Sequence, residues 1–395
     1  MIVTLESARE AAARLDGADD LTPMRDQFDL GADVLYFDGN SLGPPTRAAR
    51  DALLRAVDHQ WGERLIRAWD EDWMAMPTRV GDAIAPLIGA PPGTVIACDN
   101  TSVNLHKALA AAVALRPGRR EIIVDGGNFP TDLYIAASVA RQHGLDLIAV
   151  PADEIASAIT ERTAVVTATP VDYRSARLLD MAHITATAHS HGALTVWDLA
   201  HSVGAVEVDA TACGIDFAVG CGYKYLNGGP GAPAFVHVAP GLIEDARQPL
   251  EGWWGHADPF EFETNYRPAA GIDRFLTGSP NILSLTALEA ALTVFEGVPM
   301  ARVRAKSVSL TTFLVDLWQE HLEPRGFSLA SPREAELRGS HVALGFGGGK
   351  ALVESLAERG VLADFRPPNL LRFGLAPLYN SHFEVVRLVE NLLAH

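Results

Sequence analysis

Short apolar runs alternate with longer helical patterns through the middle of the chain. The apolar runs predict strands at residues 94–97, 121–125, 147–150, 164–168, 193–197, 216–221 and 234–238. The longer patterns predict helices at residues 103–115, 131–143 and 181–191. Strands and helices that alternate in this way form a mostly parallel sheet with helices on both faces, so we expect an α/β fold.

The pattern changes on either side of this segment. Before it, we predict a helix at residues 4–15, a turn at 36–45 and a helix at 46–59. After it, we predict helices at 282–296 and 299–321, strands near 341–346, 361–365 and 370–375, and a helix at 381–394. We therefore expect an N-terminal helix and arm (1–45) that packs with the small domain, a large α/β domain (46–297), and a small C-terminal α+β domain (298–395).

Lysine is scarce, and one lysine stands in a chemically suggestive place. Of the four lysines, Lys224 follows the predicted strand 216–221, and Asp198 lies 26 positions earlier at the carboxyl end of the strand 193–197. Open α/β sheets place ligand contacts at such strand ends. A lysine amine forms a Schiff base with the aldehyde of pyridoxal phosphate (PLP), and a carboxylate keeps its pyridine nitrogen protonated. The pair predicts a PLP site, although each residue alone also fits a helix cap or a solvated loop.

Hydroxyl groups suited to the cofactor's phosphate stand where a helix is predicted to begin. A dianionic phosphate requires backbone N–H donors and hydroxyls at a helix start. Thr101 and Ser102 supply hydroxyls just before the predicted helix 103–115, where either residue also fits an ordinary N-cap. We predict that they bind phosphate, and capping is compatible with that role.

Further candidates follow the neighbouring strands. Phe129 offers an aromatic face for the pyridine ring, and Asp132 offers a hydrogen-bond acceptor. Thr169 and His201 follow the strands 164–168 and 193–197, within reach of the same site. Taken alone, Phe129 also fits a core position and His201 a structural one.

Composition excludes several other classes of protein. The formal net charge is -17, and the longest basic cluster is at residues 116–120, which argues against a nucleic-acid partner. The three cysteines lack the spacing of a disulfide framework or of a zinc site, so we expect a reduced, cytoplasmic compartment and no metal. The first twenty residues lack the apolar core of a signal peptide, and no apolar stretch is long enough to span a membrane.

Several motifs together resemble one family. They are DGNSLG at 38–43, NTSVNLH at 100–106, NFPTDLY at 128–134, WDLAHSVG at 197–204, YKYLN at 223–227, Trp253 with Gly255 and His256, and Arg372 with APLYNS at 376–381. The chain resembles kynureninase, a PLP enzyme of fold type I in the aminotransferase superfamily. A lysine with an upstream aspartate is common to that superfamily, whereas NFPTD together with YKYLN is specific to this branch. The matching motifs extend over nearly the whole chain.

The resemblance implies a reaction and a set of roles. The reaction is the hydrolysis of L-kynurenine, or of 3-hydroxykynurenine, to anthranilate or 3-hydroxyanthranilate and L-alanine. The resemblance suggests tryptophan catabolism or NAD biosynthesis, and the sequence also leaves open a pathway to a secondary metabolite. Lys224 would bind the PLP aldehyde, Asp198 would pair with the pyridine nitrogen, and Phe129 would stack on the ring. The cofactor site would be completed by Thr101, Ser102, Asp132, Thr169, His201, Tyr223, Trp253 and Asn281.

The resemblance also implies a homodimer, in which Trp253 and Asn281 reach the phosphate of the neighbouring subunit. Arg372 would bind the α-carboxylate of the amino acid substrate, a task that suits a rigid guanidinium. Ser41 and Trp69 are candidates for the substrate's aromatic end, and Trp69 also fits a core with Trp61 and Trp73. Tyr223 is a candidate for moving a proton near the β-carbon, or for a plain hydrogen bond to the phosphate.

Two alternatives remain open from the sequence. The nearest is another fold type I enzyme, either an aminotransferase or a desulfurase-like lyase. A desulfurase requires a mobile nucleophilic cysteine, but Cys98, Cys213 and Cys221 all lie in or beside predicted strands. The other alternative is a PLP-binding protein without catalytic activity, and such a protein would often have lost Lys224 or Arg372.

Overall fold

The computed structural model of the protein describes residues 4–31 and 33–395. The strands within these residues are β1 (Leu35–Tyr36), β2 (Val95–Cys98), β3 (Glu121–Asp125), β4 (Asp146–Val150), β5 (Thr163–Ala168), β6 (Leu194–Asp198), β7 (Phe217–Cys221), β8 (Ala234–Val238), β9 (Ser328–Leu329), β10 (His341–Gly345), β11 (Val361–Leu362), β12 (Asp364–Arg366) and β13 (Leu370–Gly374). The helices are α1 (Leu5–Ala18), α2 (Arg47–Arg55), α3 (Ala68–Glu71), α4 (Met76–Ile84), α5 (Thr101–Ala114), α6 (Pro130–His143), α7 (Ile155–Ala158), α8 (Met181–Ser190), α9 (Ile282–Leu292), α10 (Met300–Leu317), α11 (Gly349–Glu358) and α12 (His382–Leu393).

A seven-stranded sheet forms the centre of the larger part, with the strand order β2-β8-β7-β6-β5-β3-β4. Strand β8 runs antiparallel to both of its neighbours, and the remaining pairs are parallel. The predicted α/β class with a mostly parallel sheet is therefore confirmed. The carboxyl ends of β3, β5, β6 and β7 lie along one edge of this sheet.

Helices cover both faces of this sheet, as the alternation of its side chains requires. On β6, Val196 belongs to the apolar core on the side of α5 and α6, whereas the next residue, Trp197, belongs to the core on the side of α4, α8 and α9. Every residue of β6 is buried. Strands buried on both faces read as continuous apolar runs, which is why the sequence revealed them.

The N-terminal segment packs against C-terminal elements. Strand β1 pairs in parallel with β11, and the side chains of α1 share a core with those of α12. The carboxylate of Asp16 in α1 accepts hydrogen bonds from the backbone N–H groups of His382 and Phe383, at 2.8 and 2.9 Å. These N–H groups lie in the first turn of α12, where they have no partner within the helix. A second sheet, β12-β13-β10-β9, is antiparallel throughout.

Within the described range, no single helix has both the length and the apolar composition to cross a membrane. One pair of helical segments, Ile282–Phe295 and Met300–Arg325, passes that test together, with a bend of 82° between them.

Candidate active site

A cleft opens at the carboxyl edge of the central sheet, against the hairpin of β12 and β13. Its lining is Asn40, Ser41, Thr101, Ser102, Asn128, Phe129, Thr131, Asp132, Thr169, Tyr173, Asp198, Ala200, His201, Tyr223, Lys224, Arg366 and Arg372. Eleven of these were predicted as site residues: Ser41, Thr101, Ser102, Phe129, Asp132, Thr169, Asp198, His201, Tyr223, Lys224 and Arg372. They come from seven separate segments of the chain, so the fold brings them together.

Lys224 lies in the turn after β7, and its neighbourhood is tightly packed. The backbone N–H of Gly43 donates to the carbonyl of Tyr223 at 2.7 Å. A Cβ atom at Gly43 would lie 2.3 Å from the carbonyl oxygen of Lys224, so only glycine permits this approach. The segment around Gly43 thereby fixes the lysine turn from the side of the N-terminal arm.

The other three lysines lie outside the cleft. Lys107 is fully buried and pairs with Asp99 at 2.6 Å, and Lys306 is buried and pairs with Asp19 at 2.6 Å. Lys350 is exposed on α11. Lys224 is thus the lysine that lines the cleft.

The amine of Lys224 contacts an imidazole. Its Nζ lies 2.9 Å from Nε2 of His201. Burial, together with the positive charge of Lys224, holds the pKa of His201 well below its ordinary value. A neutral imidazole accepts a hydrogen bond at one nitrogen and carries its proton on the other. Nε2 therefore accepts from the lysine, and Nδ1, which is buried and has no partner among the described residues, carries the proton.

Two carboxyl groups lie beside each other at the floor of the cleft. Asp198 ends β6, and its Oδ1 accepts from the backbone N–H of Ala200 at 2.8 Å. Burial raises the pKa of Asp198, and the charge of Lys224 opposes that shift. Burial also raises the pKa of Asp132, with a further contribution from the charge of Asp198. Asn128 donates to Asp132 at 2.8 Å. A cationic ring nitrogen facing Asp198 would relieve the cost of its buried negative charge.

Helix α5 begins at the cleft, but its cap differs from our expectation. Asn100 is the N-cap, and its side chain accepts from the backbone N–H of Val103 at 3.1 Å. The alternative that Thr101 or Ser102 caps the helix is therefore wrong. The helix begins two residues earlier than predicted, so Thr101 and Ser102 are its first two residues. Asn100 leaves both hydroxyls available to a ligand at the helix N-terminus, where anions are favoured.

Aromatic and hydroxyl groups complete the wall. Phe129 is 45% exposed at the rim, and its ring packs edge-on against Tyr173 at a centroid distance of 5.3 Å. Thr169 is buried and donates to the backbone carbonyl of Asp198 at 3.0 Å, so it also fixes the end of β6. The exposed face of Phe129 is consistent with stacking on a flat ring.

Arg372 is buried at the opposite wall, in a cluster with Ser41. Its Nε donates to Oδ1 of Asp364 at 2.7 Å, and its Nη2 donates to the hydroxyl of Ser41 at 3.2 Å. Ser41 in turn donates to Oδ2 of Asp364 at 2.7 Å. Ser41 therefore belongs to the arginine cluster in this chain.

Three predicted site residues lie outside the cleft of a single chain. Trp69 is partly buried and packs against Trp73 and Trp254 at the edge of the apolar core, with ring centroids 5.2 and 5.3 Å away. Trp69 therefore does not line the cleft of its own chain, and its apolar surface is used for packing. Trp253 is 41% exposed and Asn281 is exposed in front of α9, and neither residue lines this cleft.

Several lining residues escaped prediction. Asn40, Asn128 and Thr131 lie inside recognised motifs and were not given roles. Tyr173 and Arg366 lie outside those motifs, and sequence gave no local signal for Tyr173. The predicted strands 361–365 and 370–375 form a hairpin, and pairing them in register would have placed Asp364 opposite Arg372.

The chemistry of these groups fits PLP. A primary amine, a buried carboxylate, an aromatic face and a helix N-terminus with two free hydroxyls lie around one cleft. Each matches one feature of the cofactor: its aldehyde, its pyridine nitrogen, its ring and its phosphate.

Comparisons with known proteins agree with this site. Residues 303–392 match the model of the kynureninase C-terminal domain, and residues 79–220 match that of the DegT/DnrJ/EryC1/StrS aminotransferase family. The kynureninase of Deinococcus radiodurans is 47% identical, over 96% of this chain and 94% of the relative. That of Pseudomonas fluorescens is 43% identical, over 98% of this chain and 95% of the relative.

Solved structures show the same fold in more distant proteins. The apo cysteine desulfurase of Thermococcus onnurineus NA1 matches with a TM-score of 0.82 and 18% identity, over 94% of this chain and 97% of that one. The cystine C-S lyase C-DES in complex with cysteine persulfide matches with a TM-score of 0.79 and 18% identity, over 92% and 98%. At such identities the likeness concerns the fold, whereas the closer relatives identify the branch: the chain belongs to the kynureninase family.

Proposed function

We propose that the chain is a PLP-dependent hydrolase that cleaves the Cβ–Cγ bond of L-kynurenine, or of its 3-hydroxy derivative. The products are anthranilate, or 3-hydroxyanthranilate, and L-alanine. The observation that carries the proposal is that Lys224, Asp198 and Arg372 line one cleft in a chain of this family. These three groups match the cofactor aldehyde, the cofactor ring nitrogen and the substrate carboxylate.

The cofactor would be held by groups from both walls. Lys224 binds the aldehyde carbon, Asp198 the ring nitrogen, and Phe129 stacks on the ring. Thr101 and Ser102 bind the phosphate at the start of α5, with Tyr223 in the same role or beside it. Asp132, Thr169 and His201 support the ring from the sheet edge.

When bound, PLP supplies an electron sink that stabilises negative charge on the substrate carbons. The chain's own task is to place protons. The amine of Lys224 takes the proton from the substrate α-carbon, and His201, kept neutral by burial, orients that amine through its Nε2. Arg372 holds the α-carboxylate, which fixes the α-carbon over the amine.

Tyr223 is suited to donating a proton. Burial raises the pKa of Tyr223 above its ordinary value, so its hydroxyl remains protonated at neutral pH. That state supports either of two roles: a proton donor near the β-carbon or a hydrogen bond to the phosphate. The water that attacks the γ-carbonyl requires a general base, for which a neutral His201 or a carboxylate is chemically able.

The functional unit is a homodimer with shared sites. Trp253 is exposed beside Phe260 and Phe262, which are 56% and 80% exposed. An exposed aromatic patch of this kind is typical of an interface. Trp253 and Asn281 reach the phosphate of the other subunit. The chain divides into the arm 1–45, the large domain 46–297 and the small domain 298–395, and a shared core joins the arm to the small domain.

The enzyme is cytoplasmic and serves tryptophan breakdown or NAD biosynthesis. Its substrate is a small amino acid, and neither nucleic acid nor a membrane takes part. The negative formal charge of -17 supports the absence of a nucleic-acid partner.

The desulfurase alternative lacks a nucleophile at the site. Cys98 and Cys221 are buried, and burial raises the pKa of the Cys98 thiol to about 11. Burial also raises the pKa of Cys213. Of the described residues that line the cleft, none is a cysteine. Reactive thiols require a lowered pKa and access to substrate.

The test is a product assay on the purified protein loaded with PLP. L-Kynurenine should give anthranilate and L-alanine in equal amounts, and kcat/KM for kynurenine and 3-hydroxykynurenine then decides the preferred substrate. Release of sulfur from cysteine, or transfer of the amino group to a keto acid, without anthranilate formation would contradict the proposal.

A further inference from the structure

The wall that carries Arg372 contains a second arginine. Strands β12 and β13 pair with Asp364 directly opposite Arg372. Arg366 stands two residues after Asp364 on β12, and side chains two apart on a strand project from the same face. Both guanidinium groups contact the same carboxylate: Arg366 Nη2 lies 3.0 Å from Oδ2 of Asp364, and Arg372 pairs with both oxygens.

The donors of Arg372 are almost all in use. A guanidinium has five N–H groups. In Arg372, Nε donates to Asp364, Nη1 to the carbonyl of Tyr173, and Nη2 to both Asp364 and Ser41. Four of the five N–H groups are thus engaged, and the side chain is 1% exposed. A bidentate contact with a substrate carboxylate requires two free N–H groups.

Arg366, in contrast, has few partners for its N–H groups. Its side chain is 35% exposed, lines the cleft and makes one ion-pair contact, with Asp364. Its Nε is buried and has no hydrogen-bond partner in residues 4–31 and 33–395. A buried guanidinium N–H without a partner is costly, so the site is built for an acceptor that arrives with a ligand.

Two carboxyl groups lie near the two arginines. Asp364 carries one negative charge between two arginines. Burial alone would raise its pKa, but hydrogen bonds and charge from Arg372 lower it below its ordinary value. The other nearby carboxyl, Asp38, is half-buried, and burial with the charge of Asp364 raises its pKa to about 6, so it is mostly ionised at neutral pH. Among the described residues Asp38 forms no ion pair with either arginine, and Asp364 is the carboxylate that both guanidinium groups contact.

We propose that Arg366 binds the α-carboxylate of the substrate together with Arg372, and that Asp364 is the positioning residue that holds the two guanidinium groups side by side. The inference rests on the proposed function in that the ligand is an α-amino acid. Arg366 donates from its free N–H groups, and Arg372 contributes its remaining one. The cofactor phosphate is the competing ligand for Arg366, and the experiment separates the two anions.

The experiment compares Arg366→Gln with Arg174→Gln in the PLP-loaded enzyme. Arg174 is a matched control because it lies beside the cleft wall and donates to the carbonyl of Pro367 at 3.0 Å, yet it does not line the cleft. Five quantities are measured: KM and kcat for L-kynurenine, the Kd for PLP, and the Kd values for L-alanine and L-alaninamide. The last two ligands differ only in the carboxylate, and their binding does not depend on catalysis.

For Arg366→Gln we expect KM to rise about tenfold to a hundredfold, with a smaller change in kcat and an unchanged Kd for PLP. The preference for L-alanine over L-alaninamide should fall by a similar factor. Arg174→Gln should leave KM and the preference for L-alanine near the parent values. Asp364→Asn should weaken L-alanine binding without loss of PLP.

If the preference of Arg366→Gln for L-alanine over L-alaninamide stayed within about twofold of the parent value, the proposal would be overturned. A raised Kd for PLP with unchanged KM would also overturn it and would assign Arg366 to the phosphate. Failure of the proposed function is distinguishable, since the parent enzyme would then form no anthranilate, while the two alanine ligands still report on the carboxylate subsite.

Discussion

The amine of Lys224 lies 2.9 Å from Nε2 of His201, and the two residues come from the ends of neighbouring strands, β7 and β6. His201 is buried and its pKa is held well below the ordinary value, so the imidazole is neutral and accepts from the lysine. This contact holds the amine at the floor of the cleft. Preorganisation of this kind reduces the cost of reaching a reactive geometry.

Replacing Lys224 should abolish both cofactor attachment and turnover. Lys224→Ala removes the amine that lines the cleft, so the visible absorbance of lysine-bound PLP and the formation of anthranilate should both disappear. An absorbance scan and a product assay measure these. Lys350→Ala is the matched control, because Lys350 is exposed on α11 and should keep both properties. Retention of absorbance and turnover by Lys224→Ala would refute the assignment.

Replacing Arg372 should affect substrate binding far more than cofactor binding. In Arg372→Ala we expect KM for L-kynurenine to rise about a hundredfold, while the Kd for PLP changes little. The variant should also lose about 3 kcal/mol of folding stability, because Asp364 loses its main buried partner. Arg372→Ala combined with Asp364→Ala should recover part of that stability. An unchanged KM would remove Arg372 from the carboxylate site.

His341 should make the protein less stable in acid. It is fully buried, both ring nitrogens lack partners among the described residues, and burial with the charge of Arg372 lowers its pKa to about 3. The unfolded chain binds a proton near pH 6.5, so the folded state loses stability as the pH falls from there towards 3. Between pH 8 and pH 5 the loss is about 2 kcal/mol.

The variant His341→Gln lacks this titration. Its free energy of unfolding relative to the parent should improve by about 2 kcal/mol when the pH is lowered from 8 to 5. Urea unfolding at the two pH values measures the difference, with His143→Gln at an exposed position as the control. An equal difference between parent and His341→Gln at both pH values would contradict the assignment of a neutral buried imidazole.

Mixed dimers should recover activity from two inactive variants. One variant is Lys224→Ala and the other is the double variant Trp253→Ala/Asn281→Ala. If Trp253 and Asn281 serve the neighbouring subunit, a heterodimer of the two variants carries all of these changes in one of its two sites. The other site is then intact, and random exchange of subunits should restore about a quarter of the parent activity. Mass spectrometry confirms the exchange. Heterodimers without activity would show that each chain serves its own site.

The sequence was most informative where local chemistry decides the structure. Strands β3 and β8 have the predicted bounds, 121–125 and 234–238, because continuous apolar runs are buried on both faces of the sheet. Lys224 and Asp198 were also found from local signals, since each follows such a run. Helix α11 was missed because Gly347, Gly348 and Gly349 indicate a turn, and that turn leads directly into the helix.

Other features depend on contacts between distant segments. Helix α4 (Met76–Ile84) was not predicted; it begins with Met76 and Pro77, and proline is tolerated in the first turn of a helix. Arg366 resembles a surface arginine until strand register places it beside Asp364. Trp69 could not be separated from a pocket residue by pattern alone, since its packing partner Trp254 is 185 positions away. Such relationships follow from the assembled fold.

The most direct test of the account is to identify the lysine that bears PLP. The holoenzyme is treated with borohydride, which makes the bond between lysine and cofactor permanent, and the modified peptide is located by mass spectrometry. We expect the label on the peptide that contains Lys224, and none on Lys107, Lys306 or Lys350. A label on one of those three residues, or a protein that binds PLP without any labelled lysine, would contradict the account.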